Sequence, residues 1–180
     1  MSTRVGYAGG KQPTPSYREM SDHTEAIEII YNPERISYAS LLAVFWDDHS
    51  PVYEPWSTQY RSAIWPVDDE QRAIAEASLA AEQVRRGQKI WTAIEAPTTF
   101  TPAEDYHQKY RLRQNNRLED ELRSQFDSEE AFYRSTAAAR LNGYLDGHGK
   151  KKQLRADLDD LNLTPDTAQY LVDTVGHTLW

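Results

Sequence analysis

The rhythm of the chain changes near residue 112, and that change limits the folds open to it. Before this point, strand-like segments alternate with segments of helical period; beyond it, every periodic segment is helical. Such alternation specifies an α/β arrangement, here followed by helices alone. Thr3 to Ala8 is strand-prone and runs into the Gly9-Gly10 turn, and a Pro-rich loop covers Lys11 to Ser16. From Glu25 to Tyr31 the apolar Ile27, Ile29 and Tyr31 occupy alternate positions, the period of a half-buried strand, which Asn32-Pro33 breaks. Ser37 predicts the N-cap of a helix from Tyr38 to Asp48, with Leu41, Leu42, Val44, Phe45 and Trp46 on its apolar face and Ile36 stapled against Leu41. Tyr53 to Ser57 reads as loop, and Tyr60 to Trp65 as a strand closed by Pro66. Asp68, with Gln71 at the third helical position, opens a long helix through Arg86 that Gly87 stops. Ile90 to Glu95 is the next expected strand. Thr101-Pro102-Ala103-Glu104 combines a cap, a first-turn proline and an acidic third position, the pattern of a helix start. Later helices are expected over Leu118–Phe126, Glu129–Leu145, Gln153–Leu161 and Pro165–Leu179, the last capped by Thr164. The division this implies is an α/β domain over 1–111 and a helical extension over 112–180.

Composition narrows the function classes. With 39% apolar residues, five Trp and eleven Tyr, the 180-residue chain can bury a sizeable core. A net charge of −8 argues against a sequence-independent grip on nucleic-acid phosphates. No apolar stretch has the length of a bilayer span, and the first residues lack the apolar core of a secretory signal, so a cytoplasmic location is expected. The chain has no cysteine, which removes disulfides, thiolate nucleophiles and Cys-based metal sites together. His23 and His107 are far apart in sequence and lack the His-x-x-x-His spacing that puts two imidazoles on one helical face; they read as surface or capping residues rather than metal ligands. Lys150-Lys151-Lys152 with Arg155 is the one basic run, balanced by Asp157, Asp159 and Asp160, and reads as a solvated loop and helix start. Tyr53, Trp56, Trp65 and Trp91 read as core and pocket rim.

Three segments carry a more specific signal: Gly6-Tyr7-Ala8-Gly9-Gly10, Thr58-Gln59-Tyr60-Arg61-Ser62-Ala63-Ile64-Trp65, and Ala103-Glu104-Asp105-Tyr106-His107-Gln108-Lys109-Tyr110. In this order, across most of the first 110 residues, they resemble the A-type peptide methionine sulfoxide reductase family. The resemblance implies a two-layer α/β sandwich, with the helical C-terminal extension in place of the cysteine-bearing tails of some relatives. It also implies thiol-dependent reduction of methionine S-sulfoxide, free or in proteins, as repair of oxidised protein. No bound cofactor is implied, only an external thiol reductant such as thioredoxin; neither nucleic acid nor membrane is an expected partner.

Reducing a sulfoxide needs a soft nucleophile for sulfur, a proton for the departing oxygen and an apolar pocket for the S-methyl group. The proton donor suits a carboxylic acid kept neutral by burial and hydrogen-bonding neighbours, and tyrosines suit the oxygen because they donate without changing charge. By its place in Asp22-His23-Thr24-Glu25-Ala26-Ile27-Glu28, Glu25 inherits the acid role; Glu28, three positions on, belongs to the opposite face. Tyr17, in Pro15-Ser16-Tyr17-Arg18-Glu19, and Tyr60 inherit the oxygen-binding role.

The chain also departs from the family. The Gly-Cys-Phe-Trp motif, with its nucleophile and methyl pocket, would fall before Met1. Glu54-Pro55-Trp56-Ser57 replaces the more usual Asn-Asp-x-Gly, and the loop between Tyr17 and Glu25 is short. The last two features, with the Ala-rich segment Ser135 to Tyr144, resemble a divergent branch. Two accounts are therefore open. The sequence is an N-terminally shortened record of a reductase, or it is a pseudoenzyme that binds methionine sulfoxide without reducing it. An interaction module centred on the helical extension is a third reading, from a different class.

Overall fold

A computed structural model describes residues 1–179; Trp180, the last residue of the expected helical extension, lies outside the described residues. The described residues form two compact units, one of residues 6–102 and one of residues 1–5 with 103–179. The first unit is α/β and the second is helical.

In the first unit, β1 (Ser2–Ala8), which begins in the other unit, is the middle of a three-stranded sheet, between β2 (Thr24–Ile30) and β5 (Thr101–Pro102). Its register with β5 is antiparallel, Gly6 facing Pro102 and Tyr7 facing Thr101. A second pair, β3 (Ala63–Ile64) and β4 (Ala93–Ile94), runs parallel, as a crossover through the long helix between them requires. The two helices of this unit are α1 (Tyr38–Asp47) and α2 (Asp69–Arg86). Both begin where their caps predict: Ser37 accepts from the Ser40 N–H and Asp68 from the Gln71 N–H. Gly87 ends α2 in the left-handed conformation, φ 62°, where a side chain would be strained. Leu42 and Trp46 of α1 meet Ile64, Ala75 and Ile90 in one apolar cluster.

The predicted strands Tyr60–Trp65 and Ile90–Glu95 each pair over only two residues, because the flanking backbone bonds elsewhere: Trp91 N–H donates to Pro51 C=O at 2.8 Å. Val44 is 64% exposed and Ile27 59%, so neither belongs to a buried face. Tyr53 and Trp56 lie on the surface, not in a core. Thr101-Pro102 starts no helix; both residues pair with β1, and Ala103 N–H donates to Val5 C=O at 3.0 Å. The following turn is a 3₁₀ segment, Asp105–His107.

The second unit holds α3 (Tyr110–Arg113), α4 (Asn116–Arg123), α5 (Glu129–Tyr133), α6 (Thr136–Leu145), α7 (Lys151–Leu161) and α8 (Pro165–Val175). The single helix expected over Glu129–Leu145 is two. Ser135 breaks it by accepting from the Ala138 N–H at 3.0 Å, starting α6 afresh. Leu112, Leu118, Leu122, Phe132, Leu141, Leu161 and Leu171 are fully or almost fully buried in its core. Buried beside it, Asp157, 4% exposed, accepts from the Tyr144 hydroxyl at 2.5 Å and from Gln153, and pairs with Arg140. Burial, together with that bond, pushes the Tyr144 hydroxyl well above the usual phenol range. The residues before α3 tie this unit to its share of β1. The Gln108 amide donates to Val5 C=O at 2.8 Å and accepts from Val5 N–H at 3.0 Å, serving both backbone groups of one residue. Lys109 Nζ reaches Thr3 O at 2.6 Å and Thr3 Oγ1 at 2.8 Å, and burial lowers its pKa to about 8.

Candidate active site

β2 begins at Thr24, and strand periodicity puts Glu25 on the face opposite Thr24. Thr24 is buried and anchored from both sides: its hydroxyl donates to Thr58 C=O at 3.0 Å and accepts from Arg61 Nε at 2.8 Å. Glu25 N–H donates to Gln59 C=O at 3.1 Å. The segment Thr58–Arg61 is thereby held against the start of β2, although 34 residues separate Glu25 from Gln59.

Side chains complete the arrangement. Gln59 Nε2 lies 2.9 Å from Glu25 Oε1 and 2.9 Å from the Tyr60 hydroxyl oxygen, so one amide joins acid and phenol. Trp56 packs on Tyr60 with ring centroids 5.0 Å apart at 39°. The cluster is open. Glu25 is exposed, Tyr60 is 48% exposed and Trp56 80%. The expected enclosure of the acid is thus absent among the described residues, and its hydrogen-bonded neighbour is an amide rather than a cation. Tyr17 sits in the tight turn in which Ser16 and Glu19 bond each other, its ring half-exposed. Of the three residues named from sequence, Glu25 and Tyr60 share one hydrogen-bonded path through Gln59.

Behind this surface is a charged frame. Arg61 reaches both carboxylate oxygens of Glu95, and Trp65 Nε1 donates to Glu95 Oε2 at 3.0 Å. The Arg61 guanidinium holds the Glu95 carboxyl below the usual carboxylate range. Gly9, φ 81°, passes directly over this pair: a Cβ there would come within 2.8 Å of Arg61 Nη2 and 2.9 Å of the Trp65 ring. Next to it, Lys11 N–H donates to Asp22 at 3.0 Å and so lowers the Asp22 pKa. His23, expected at the surface, is buried instead and its Nε2 donates to Gln12 C=O at 2.9 Å. His49, in the loop after α1, donates from Nδ1 to Phe45 C=O at 2.6 Å, which leaves Nε2 to accept from Ser62; Ser62 in turn bonds Thr92. The backbone leading from Tyr60 into β3 is fixed by these bonds.

Gln59 and Arg61 are the residues that the sequence reading passed over. Both lie in the quoted motif, but Glu25, the partner of Gln59, and Thr24 and Glu95, the partners of Arg61, are 34 residues or more away, and no local pattern announces them. Among the described residues no group of three or more His, Asp or Glu side chains converges as a metal site would need, and no helix is long and apolar enough to cross a membrane.

Comparison with known proteins places the chain. Residues 1–140 match the family described as peptide methionine sulfoxide reductase, and residues 127–171 match the helical domain described for selenoprotein methionine sulfoxide reductase A. The chain belongs to the peptide methionine sulfoxide reductase family. A peptide methionine sulfoxide reductase of Drosophila melanogaster is 43% identical over 172 residues, covering 94% of this chain and 69% of the fly protein. The MsrA of an Escherichia coli strain is 46% identical over 126 residues, covering 61% of this chain and 58% of its own length. Among solved structures, reduced Mxr1 from Saccharomyces cerevisiae superposes with a TM-score of 0.56 at 32% identity, covering 63% of this chain and 70% of that one. The chain thus spans from under three fifths to about seven tenths of these relatives.

Proposed function

We propose that the protein acts in thiol-dependent reduction of the S-epimer of methionine sulfoxide, free or in proteins, and that this chain supplies the acid and the oxygen-binding groups. The observation that carries the reading is the Glu25–Gln59–Tyr60 bridge in a member of this family. In the proposed chemistry a soft nucleophile attacks the sulfoxide sulfur and the S–O bond breaks. Glu25 delivers a proton to the oxygen, while Tyr60 and Tyr17 orient it. The oxygen, released as water, then attacks the nucleophile's own atom in the sulfonium adduct; the bond to the methionine sulfur breaks, methionine leaves, a proton is released, and a sulfenic acid is left. Two external thiols then convert that group back, giving one disulfide and one water. No bound cofactor takes part.

The nucleophile is not among these 180 residues, which contain no cysteine. It is a thiol or, by the name of the family that residues 127–171 match, a selenol in the same role. The 180-residue chain is accordingly expected to show no dithiothreitol-driven reduction above a no-protein control. The same chain with a Gly-Cys-Phe-Trp-bearing segment joined ahead of Ser2 is expected to turn over. In that fusion Glu25→Gln should lower the rate by about two orders of magnitude, the usual span of general-acid assistance. An unchanged rate would remove Glu25 from the mechanism. The absence of cysteine also favours a second reading, a sulfoxide-binding protein without chemistry; failure of the fusion to turn over, with sulfoxide binding intact, would select it.

A further inference from the structure

We infer that Gln59 is a positioning residue that assigns the proton-donating atoms of this site, so that a sulfoxide oxygen is distinguished from the bare sulfur of a thioether. The inference rests on the function proposed above and adds to it how the acid and phenol are aimed.

Gln59 Nε2 lies 2.9 Å from Glu25 Oε1 and can only donate, so Oε1 is the accepting oxygen whether or not Glu25 carries a proton. The same nitrogen faces the Tyr60 oxygen at 2.9 Å and gives it a second N–H, so the phenol oxygen accepts there. Two consequences follow. Tyr60 does not spend its only proton on Gln59, so its O–H remains for a ligand. With Oε1 already taking a donor, a proton on Glu25 is best placed on Oε2. Gln59 thereby takes Glu25 Oε1 and the Tyr60 oxygen as acceptors and leaves two donors, a proton on Oε2 and the Tyr60 O–H, for a ligand. A sulfoxide oxygen can receive both donors, whereas a thioether has no oxygen to receive either.

Gln59 is built to hold this geometry. Its carbonyl takes the Glu25 N–H, the preceding carbonyl of Thr58 takes the Thr24 hydroxyl, and Arg61 Nε holds that hydroxyl from the far side. Trp56 against the Tyr60 ring restricts the phenol. The amide is therefore fixed by main-chain bonds that a side-chain replacement leaves in place, so its role can be tested without dismantling the fold.

The test uses the 180-residue chain and N-acetyl-methionine methylamide as the S-sulfoxide and as the thioether, with binding followed by NMR. Wild type should prefer the sulfoxide. Gln59→Met, similar in length but without donors, should lose about five- to tenfold of that preference, the effect of one hydrogen bond. The losses from Gln59→Met and Tyr60→Phe should not add, because they interrupt one path. The Gln59 side-chain N–H signals should move on adding sulfoxide but not thioether, a signature that general loosening of the loop does not produce. If Gln59→Met keeps the full preference while Glu25→Gln or Tyr60→Phe loses it, the role of Gln59 falls and the site reading stands. If wild type shows no preference, both fall.

Discussion

At the scale of single residues, the most consequential side chain outside the proposed chemistry is Arg61. It joins Glu95 and Thr24, and so connects β4's end with the start of the strand carrying Glu25. Arg61→Met leaves Glu95 with only the Trp65 indole among its named side-chain partners, and is expected to cost about 1–2 kcal/mol, since the pair is only partly screened by solvent. The pH dependence has a definite sign. Because the folded Glu95 pKa lies below its ordinary 4.5, its contribution is fully present above that value and fades as pH falls through the depressed folded value. Urea unfolding at pH 7 and pH 3 should therefore show a smaller gap between wild type and variant at the lower pH. An equal gap at both would mean that the stabilisation lies in packing. Glu25 and Tyr60 could be named from a motif; the amide between them could not, because its meaning appears only once two distant segments touch.

Among the secondary-structure elements, legibility follows the range of the determining contacts. α1, α2 and α8 begin at Ser37, Asp68 and Thr164 as expected, because a cap is a contact within four residues. Thr101-Pro102 has every local mark of a helix start and is nevertheless strand, because its partners are Tyr7 and Gly6. The break between α5 and α6 is the opposite case: Ser135 is a strong local cap, but the apolar series Phe132, Tyr133, Ala138, Leu141 continues through it and hides it. Ser135→Ala should cost about 1 kcal/mol through the lost cap, read as a lower urea midpoint at unchanged slope. No loss would mean that the break is maintained by packing alone.

For the molecule as a whole, the uncovered apolar surface of β2 matters most. Within its sheet β2 lies at an edge, and Ile27 and Ile30 are 59% and 47% exposed. An edge strand with bare isoleucines invites pairing with another chain. Raising protein concentration should therefore produce self-association by sedimentation, and Ile27→Lys should reduce it while changing folding stability by no more than about 0.5 kcal/mol. If the lysine variant associates as strongly as wild type, the contact lies elsewhere.

One strand also sets a practical limit on dissecting this protein. Residues 1–5 fold with residues 103–179, with Val5 held by Gln108 and Thr3 by Lys109. Cutting the gene at codon 112 would discard both halves of that clasp and yield a tail with its first turn unmoored. A circularly permuted gene, in which codons 103–180 are followed by a short linker and codons 1–5, would keep the clasp closed and is the version to express for binding studies of the helices.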